Sequence, residues 1–109
     1  MHELAITQSV VDAVLERTGD RTVTTVRMRI GRLSGIVPDS LRFCFELVTE
    51  GTALEGASLE IDEPGGAAHC RSCGADFALS DLILLCDCGS ADVQVLSGRE
   101  LSVTSVEVA

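Results

Sequence analysis

Four of the five cysteines in this 109-residue chain fall in two short pairs, Cys70-x2-Cys73 and Cys86-x-Cys88, with twelve residues between the pairs. Two thiol pairs at this spacing match a tetrahedral zinc ribbon. Zinc takes four soft or borderline donors, and each short turn presents two sulfurs to one point. Gly74 and Gly89, one after each pair, let the backbone turn back toward the sulfurs. The second pair departs from the usual pattern, with only Asp87 between its cysteines. Either the tighter turn is tolerated, or one sulfur is replaced by His69, beside Cys70, or by Cys44; the four-cysteine set is preferred. A redox reading lacks the strand-to-helix setting of such sites. A catalytic zinc requires an open position and a general base, and four thiolates leave no opening. A nucleic-acid ribbon requires basic charge, whereas residues 67–98 hold Arg71 against Asp76, Asp81, Asp87 and Asp92.

The second candidate is the start of the chain, Met1-His2-Glu3, which holds one of only two histidines. The α-amine of Met1, the backbone nitrogen of His2 and its imidazole Nδ1 can close adjoining chelate rings on one metal. Nickel(II) and copper(II) favour such planar nitrogen sites. The amide or carboxylate of Glu3 can supply a fourth donor. On residue chemistry alone, a solvated terminal histidine is the simpler reading.

The formal net charge is −9, and all eight positive residues are Arg. Such a chain is repelled by phosphate backbones and anionic membranes, which argues against nucleic-acid and membrane partners, and it attracts cations. No nucleophile–base pair or open metal position can be named, so no enzyme is expected. The opening MHELAITQSVVDAV lacks a basic leader, Asp12 and Glu16 interrupt its apolar side, and no run of about 18 apolar residues occurs. A cytoplasmic, reducing setting is the expectation, where clustered thiols bind metal more readily than they form disulfides. Cys44 reads as a small core hydrophobe.

The elements that must position these groups follow from the hydrophobic period. Residues 3–18 predict an amphipathic helix with Leu4, Ile6, Val10, Val11, Ala13, Val14 and Leu15 inward, ended by Gly19-Asp20. Residues 22–30 switch to alternation: Val26, Met28 and Ile30 against Arg27 and Arg29. Pro38-Asp39-Ser40 opens a second helix, with Asp39 or Ser40 as N-cap and Leu41, Phe43, Cys44, Phe45, Leu47 and Val48 inward; Gly51 stops it. Residues 57–63 form another strand, whose Glu60 and Asp62 can pair with Arg27 and Arg29. Pro64-Gly65-Gly66 reads as a hinge that lets the cysteine segment shift. The alternation slips within residues 100–108, a last strand with a bulge or burial on both faces. The expected fold class is α+β: two helices packed on a three-stranded sheet, with an inserted zinc-ribbon-like domain. The domain expectation is 1–66 with 99–109 for the α/β unit, and 67–98 for the zinc unit. With three Phe and no Trp or Tyr, the core is small, and the insert relies on metal to organise it.

Together, MHELAITQSVVDAV, VRMRIGRLSGIVPDSLRFCFELVTEGT, ASLEID, the paired cysteines with CGS, and SGRELSVTSVEV resemble the HypA/HybF family over nearly the whole chain. The resemblance implies a nickel metallochaperone that delivers Ni(II) for maturation of [NiFe]-hydrogenase. Its implied partners are a HypB-type GTPase and the hydrogenase large-subunit precursor. It further implies nickel as transient cargo on His2, completed by Met1 and Glu3, and a structural zinc on Cys70, Cys73, Cys86 and Cys88. The competing expectation is a structural zinc-ribbon interaction adaptor without nickel transfer.

Overall fold

A computed structural model describes residues 2–109. The elements are α1 (Glu3–Thr18), β1 (Val23–Ile30), α2 (Pro38–Thr49), β2 (Ser58–Asp62), β3 (Gly66–Cys70), β4 (Asp76–Leu79), β5 (Val93–Ser97) and β6 (Leu101–Val108). They make two three-stranded sheets, ordered β2-β1-β6 and β4-β3-β5. β2 runs parallel to β1, with α2 as the crossover such a pair requires, and β6 runs antiparallel to β1. The molecule is elongated, 53 × 21 × 17 Å, with a separate core for each sheet.

β1 is the spine of the larger core. Its Val23, Val26, Met28 and Ile30 meet Val11 and Val14 of α1 and Leu41 and Phe45 of α2, all buried. The opposite face of this sheet is polar. Arg27 pairs with Glu60 at 3.0 Å and Arg29 with Asp62 at 3.3 Å, each directly across from its partner in the parallel register. Glu107 of β6 adds a second carboxylate to Arg27 at 2.9 Å. These are exposed pairs that add little stability on their own, but they keep the two faces of the sheet distinct. The slipped alternation of β6 is a bulge: the register shifts between Arg27 and Met28, and the extra residue, Thr104, sends its hydroxyl to the Arg27 carbonyl at 3.3 Å.

The helices bury narrower lines than their apolar patterns suggest. α1 turns in Glu3, Thr7, Val11 and Val14, while Leu4 and Ala13 are exposed. α2 turns in Leu41, Phe45 and Thr49, leaving Phe43 and Leu47 exposed. Two residues advance a helix by about 200°, so Phe43 and Leu47 cannot share a line with Phe45. Neither Asp39 nor Ser40 is the N-cap of α2. Val37 holds that position with Pro38 first in the helix, where its missing N–H costs nothing. Asp39 instead places its charge in the first turn, the favourable end of the helix dipole.

The Pro64-Gly65-Gly66 junction is braced rather than open. Arg32 N–H donates to the Pro64 carbonyl at 3.0 Å, the Ser97 hydroxyl to the Gly65 carbonyl at 3.1 Å, and Leu33 N–H to the Gly98 carbonyl at 2.7 Å. The chains approach so closely that a Cβ on Gly31 would lie 2.0 Å from the Gly98 carbonyl oxygen. Gly31→Ala is therefore expected to destabilise the protein by about 1–3 kcal/mol. Gly65→Ala, which meets nothing within 4 Å, should change stability by less than about 0.5 kcal/mol. Equal midpoints for the two variants in thermal unfolding would contradict this packing.

Candidate metal centre

β3 delivers Cys70 to the tip of the smaller sheet, and the turn that follows closes on it. Cys70 N–H donates to the Ala75 carbonyl at 2.8 Å, and Gly74 N–H donates to the Cys70 carbonyl at 2.9 Å. The second turn repeats this closure with one residue fewer. Cys86 N–H donates to the Ser90 carbonyl at 2.9 Å, and Gly89 N–H to the Cys86 carbonyl at 2.8 Å. Gly74 and Gly89 both lie in the left-handed region, at φ 78° and 92°, which side chains rarely adopt. The shortened Cys86-x-Cys88 pair is thus the same kind of knuckle, tightened, with its glycine still last. The turns are joined by the Ser72 and Ser90 hydroxyls at 2.8 Å and by the Arg71–Asp92 ion pair at 3.0 Å.

Cys70, Cys73, Cys86 and Cys88 come together with their sulfurs within 4.8 Å of one another. The Cys70–Cys88 and Cys73–Cys86 sulfurs lie 3.7 and 3.6 Å apart. A tetrahedron with zinc–sulfur bonds of about 2.3 Å has edges of about 3.8 Å. The donor set and its spacing fit a tetrahedral metal such as zinc. Cys70 and Cys86 are buried, Cys73 and Cys88 exposed. The backbone N–H of Cys73, 3.5 Å from the Cys70 sulfur, and that of Ser72 lower the Cys70 thiol to about 6. Cys86 receives the N–H of Cys88, yet burial and the crowding thiols of Cys73, Cys88 and Cys70 push it up to about 12. Four thiols this close cannot all ionise alone, and a bound cation removes that conflict.

His69 is placed elsewhere. It lies one residue before Cys70 on β3, and its Nδ1 meets the Asp76 carboxylate at 2.5 Å across the β3–β4 register. Cys44 is in α2, half-buried, far along the chain from the thiol cluster and on the wall of another concavity.

That concavity, about 580 Å³, holds the N-terminal candidates: His2, Glu3, Asp39, Ser40, Phe43 and Cys44 are among its lining residues. His2 is exposed and sits just before α1; its carbonyl accepts the Ile6 N–H at 3.0 Å, and its imidazole makes no capping bond. Glu3 is buried, at 8% exposure. Its carboxylate accepts the Val37 N–H at 3.3 Å, and its carbonyl accepts the Thr7 hydroxyl at 2.6 Å. Its own backbone N–H, against the opposing effect of burial, and the Val37 N–H hold its pKa below the usual carboxylate value. Met1, the third member of the expected site, lies outside the described residues. Spacing gave no sign that Asp39 would face the same concavity as His2, since the two are brought together only by the packing of α1 on α2.

Comparison with known proteins places this geometry in context. The family model described as "Hydrogenase/urease nickel incorporation, metallochaperone, hypA" matches residues 1–108. The hydrogenase maturation factor HypA of Geotalea uraniireducens is 50% identical over 109 residues, covering 99% of both chains. That of a Nostoc species is 46% identical over 108 residues, covering 99% of this chain and 96% of the relative. The solution structure of the Ni metallochaperone HypA from Helicobacter pylori shares the fold, with a TM-score of 0.66 at 22% identity over 99% of this chain and 97% of that one.

Metal binding at the cysteines must displace protons, from Cys86 throughout and from Cys70 below about pH 6. Zinc affinity, measured by competition with a chromophoric chelator, is expected to fall continuously from about pH 8 to about pH 5 and more steeply below the Cys70 pKa. An affinity that ignores pH would mean that the four thiols are not the ligands.

Proposed function

The chain belongs to the HypA family of hydrogenase and urease nickel-incorporation metallochaperones, and we propose that it carries one nickel ion at its amino terminus and one structural zinc at its cysteines. It is a nickel metallochaperone of hydrogenase maturation. The observation that carries the two-site reading is the separation of two chemically unlike donor sets. A four-sulfur cluster closes the tip of one sheet, while an exposed histidine opens the helix packed on the other.

In this reading Cys70, Cys73, Cys86 and Cys88 hold zinc, which supplies no reaction and keeps the unit 67–98 folded. The unit made of 1–66 and 99–109 binds the nickel. His2 is the principal ligand, through its imidazole and backbone nitrogen, joined by the Met1 α-amine. The Glu3 carboxylate is engaged by the Val37 N–H, which favours the Glu3 backbone nitrogen as the fourth donor. Such a planar, solvent-facing nitrogen site suits Ni(II) and leaves faces open for an incoming ligand. Release then proceeds by ligand exchange, without catalysis, which is what a carrier requires.

Delivery needs protein contact. Leu4, Phe43 and Leu47 stand 51%, 63% and 53% exposed, and Leu4 and Phe43 line the His2 concavity itself. Exposed apolar side chains beside a transfer site favour protein docking. We assign this face to the HypB-type GTPase and the large-subunit precursor of [NiFe]-hydrogenase, both met in the cytoplasm. Among the described residues no helix is long and apolar enough to cross a membrane.

Native mass spectrometry of untagged protein tests the reading, with His2→Ala alongside. The protein should carry one zinc and gain one nickel, while the variant keeps its zinc and gains none. A variant that takes up nickel as well as the parent chain would reject the terminal site and leave a zinc-stapled adaptor.

A further inference from the structure

One apolar side chain crosses from the helical unit into the core of the cysteine module. Leu33 follows β1, yet it packs with Ala68, Leu79, Phe77, Leu84 and Val95 and is only 5% exposed. Its seat is cut to fit. A Cβ on Gly66 would lie 2.6 Å from the Leu33 Cδ1, and one on Gly98 would lie 3.0 Å from it. Ala68 stands two residues before Cys70 on β3, so one wall of the seat is the strand that ends on a zinc-ligand candidate.

Four residues further on, the same segment reaches the other metal end. Val37 N–H is one of the donors to the Glu3 carboxylate. Up to Leu33 the backbone is tied across the waist: Gly31 N–H donates to the Glu100 carbonyl, Arg32 to Pro64 and Leu33 to Gly98, at 2.7–3.0 Å. Beyond Leu33 two local bonds shape the turn, Ser34 N–H to the Gly31 carbonyl at 3.0 Å and Ile36 N–H to the Ser34 hydroxyl at 3.3 Å, and Ile36 packs against the larger core. Leu33 and Val37 are at most about 14 Å apart along the chain, and the turn between them is held by these bonds, so a displacement of Leu33 is passed toward Val37.

We propose that Leu33 is a positioning residue for the nickel site: its seat in the cysteine module sets the 31–37 segment, and so sets the Val37 N–H that holds Glu3 beside His2. The proposal rests on the two-site reading. With zinc bound, the seat is fixed and Glu3 is held; with zinc removed, the seat loosens and the hold weakens. Linkage makes the effect reciprocal, so nickel at the terminus favours the zinc-loaded module by the same factor.

The test compares backbone amide resonances and nickel affinity of the full chain, zinc-loaded and zinc-stripped, for the parent, Leu33→Ala, Leu33→Val and the exposed control Leu82→Ala. In the parent, stripping zinc should shift the Glu3 and Val37 amides and weaken nickel binding by about fivefold or more. In Leu33→Ala those amides should already be displaced with zinc present, and removal of zinc should change neither them nor the nickel affinity further. Leu33→Val, which loses only one methylene, should fall between, and Leu82→Ala should behave as the parent. Unmoved Val26 and Leu41 amides verify that the helical unit is folded in every variant. Glu3 and Val37 amides that stay in place when the parent loses zinc overturn the proposal, as does a Leu33→Ala chain that keeps the parent's full zinc sensitivity. A parent that takes up no nickel rejects the terminal nickel site instead, and the amide shifts still decide the coupling.

Discussion

Four thiols drawn within 4.8 Å of one another are the constraint on which the smaller half of the molecule depends. The strands around them are four or five residues long, and their apolar core is Leu33, Ala68 and Leu79 with three half-buried neighbours. A core of that size supplies little of the folding free energy a free-standing unit requires. The thiols cannot share the space as anions unless a cation sits among them. On the two-site reading, metal binding and folding of this module are coupled, and its loops leave Leu82, Ile83 and Leu85 exposed.

The larger half obeys an ordinary packing logic and hands its order to the smaller one at the waist. β1 fills the core of the helical unit on one face and balances Arg27 and Arg29 against carboxylates on the other. Immediately after it, Gly31 and Gly98 remove the side chains that would keep the two halves apart. Leu33 then enters the cysteine module, and the segment returns to cap α2 and hold Glu3. The two halves of a 53 Å molecule thus meet at a waist where residues 31–33 are hydrogen-bonded to both crossings of the chain, at Pro64 and at Gly98–Glu100, rather than at a free linker. A terminal nickel site gains from this. His2 stays open to solvent and to partners, while the residue after it is anchored.

Much of this architecture was legible in the residues. The 3.6-residue and 2-residue periods marked both helices and the strands β1, β2 and β6, and the slip inside β6 announced the bulge at Thr104. Arg27 with Glu60 and Arg29 with Asp62 followed from alternation once the strands were paired. The cysteine spacing foretold a cluster, and glycines placed after each pair foretold the turns. What escaped is what depends on three-dimensional contact. Phe43 and Leu47 look like core by hydrophobicity, but a helix wedged between a sheet and another helix buries one line only. Leu33 has no periodic partner nearby, because its neighbours lie in the other module. The braced junction at Pro64-Gly65-Gly66 resembles a hinge in composition; its backbone bonds come from residues more than thirty positions away. Asp39 reads as a cap and turns out to share a concavity with His2.

X-ray absorption at both metal edges, on protein loaded with one zinc and one nickel, tests the central claim most directly. The account predicts a zinc shell of four sulfurs at about 2.3 Å and a nickel shell of nitrogen donors in planar geometry, without sulfur. Sulfur in the nickel shell, or nitrogen in place of sulfur around zinc, would contradict it.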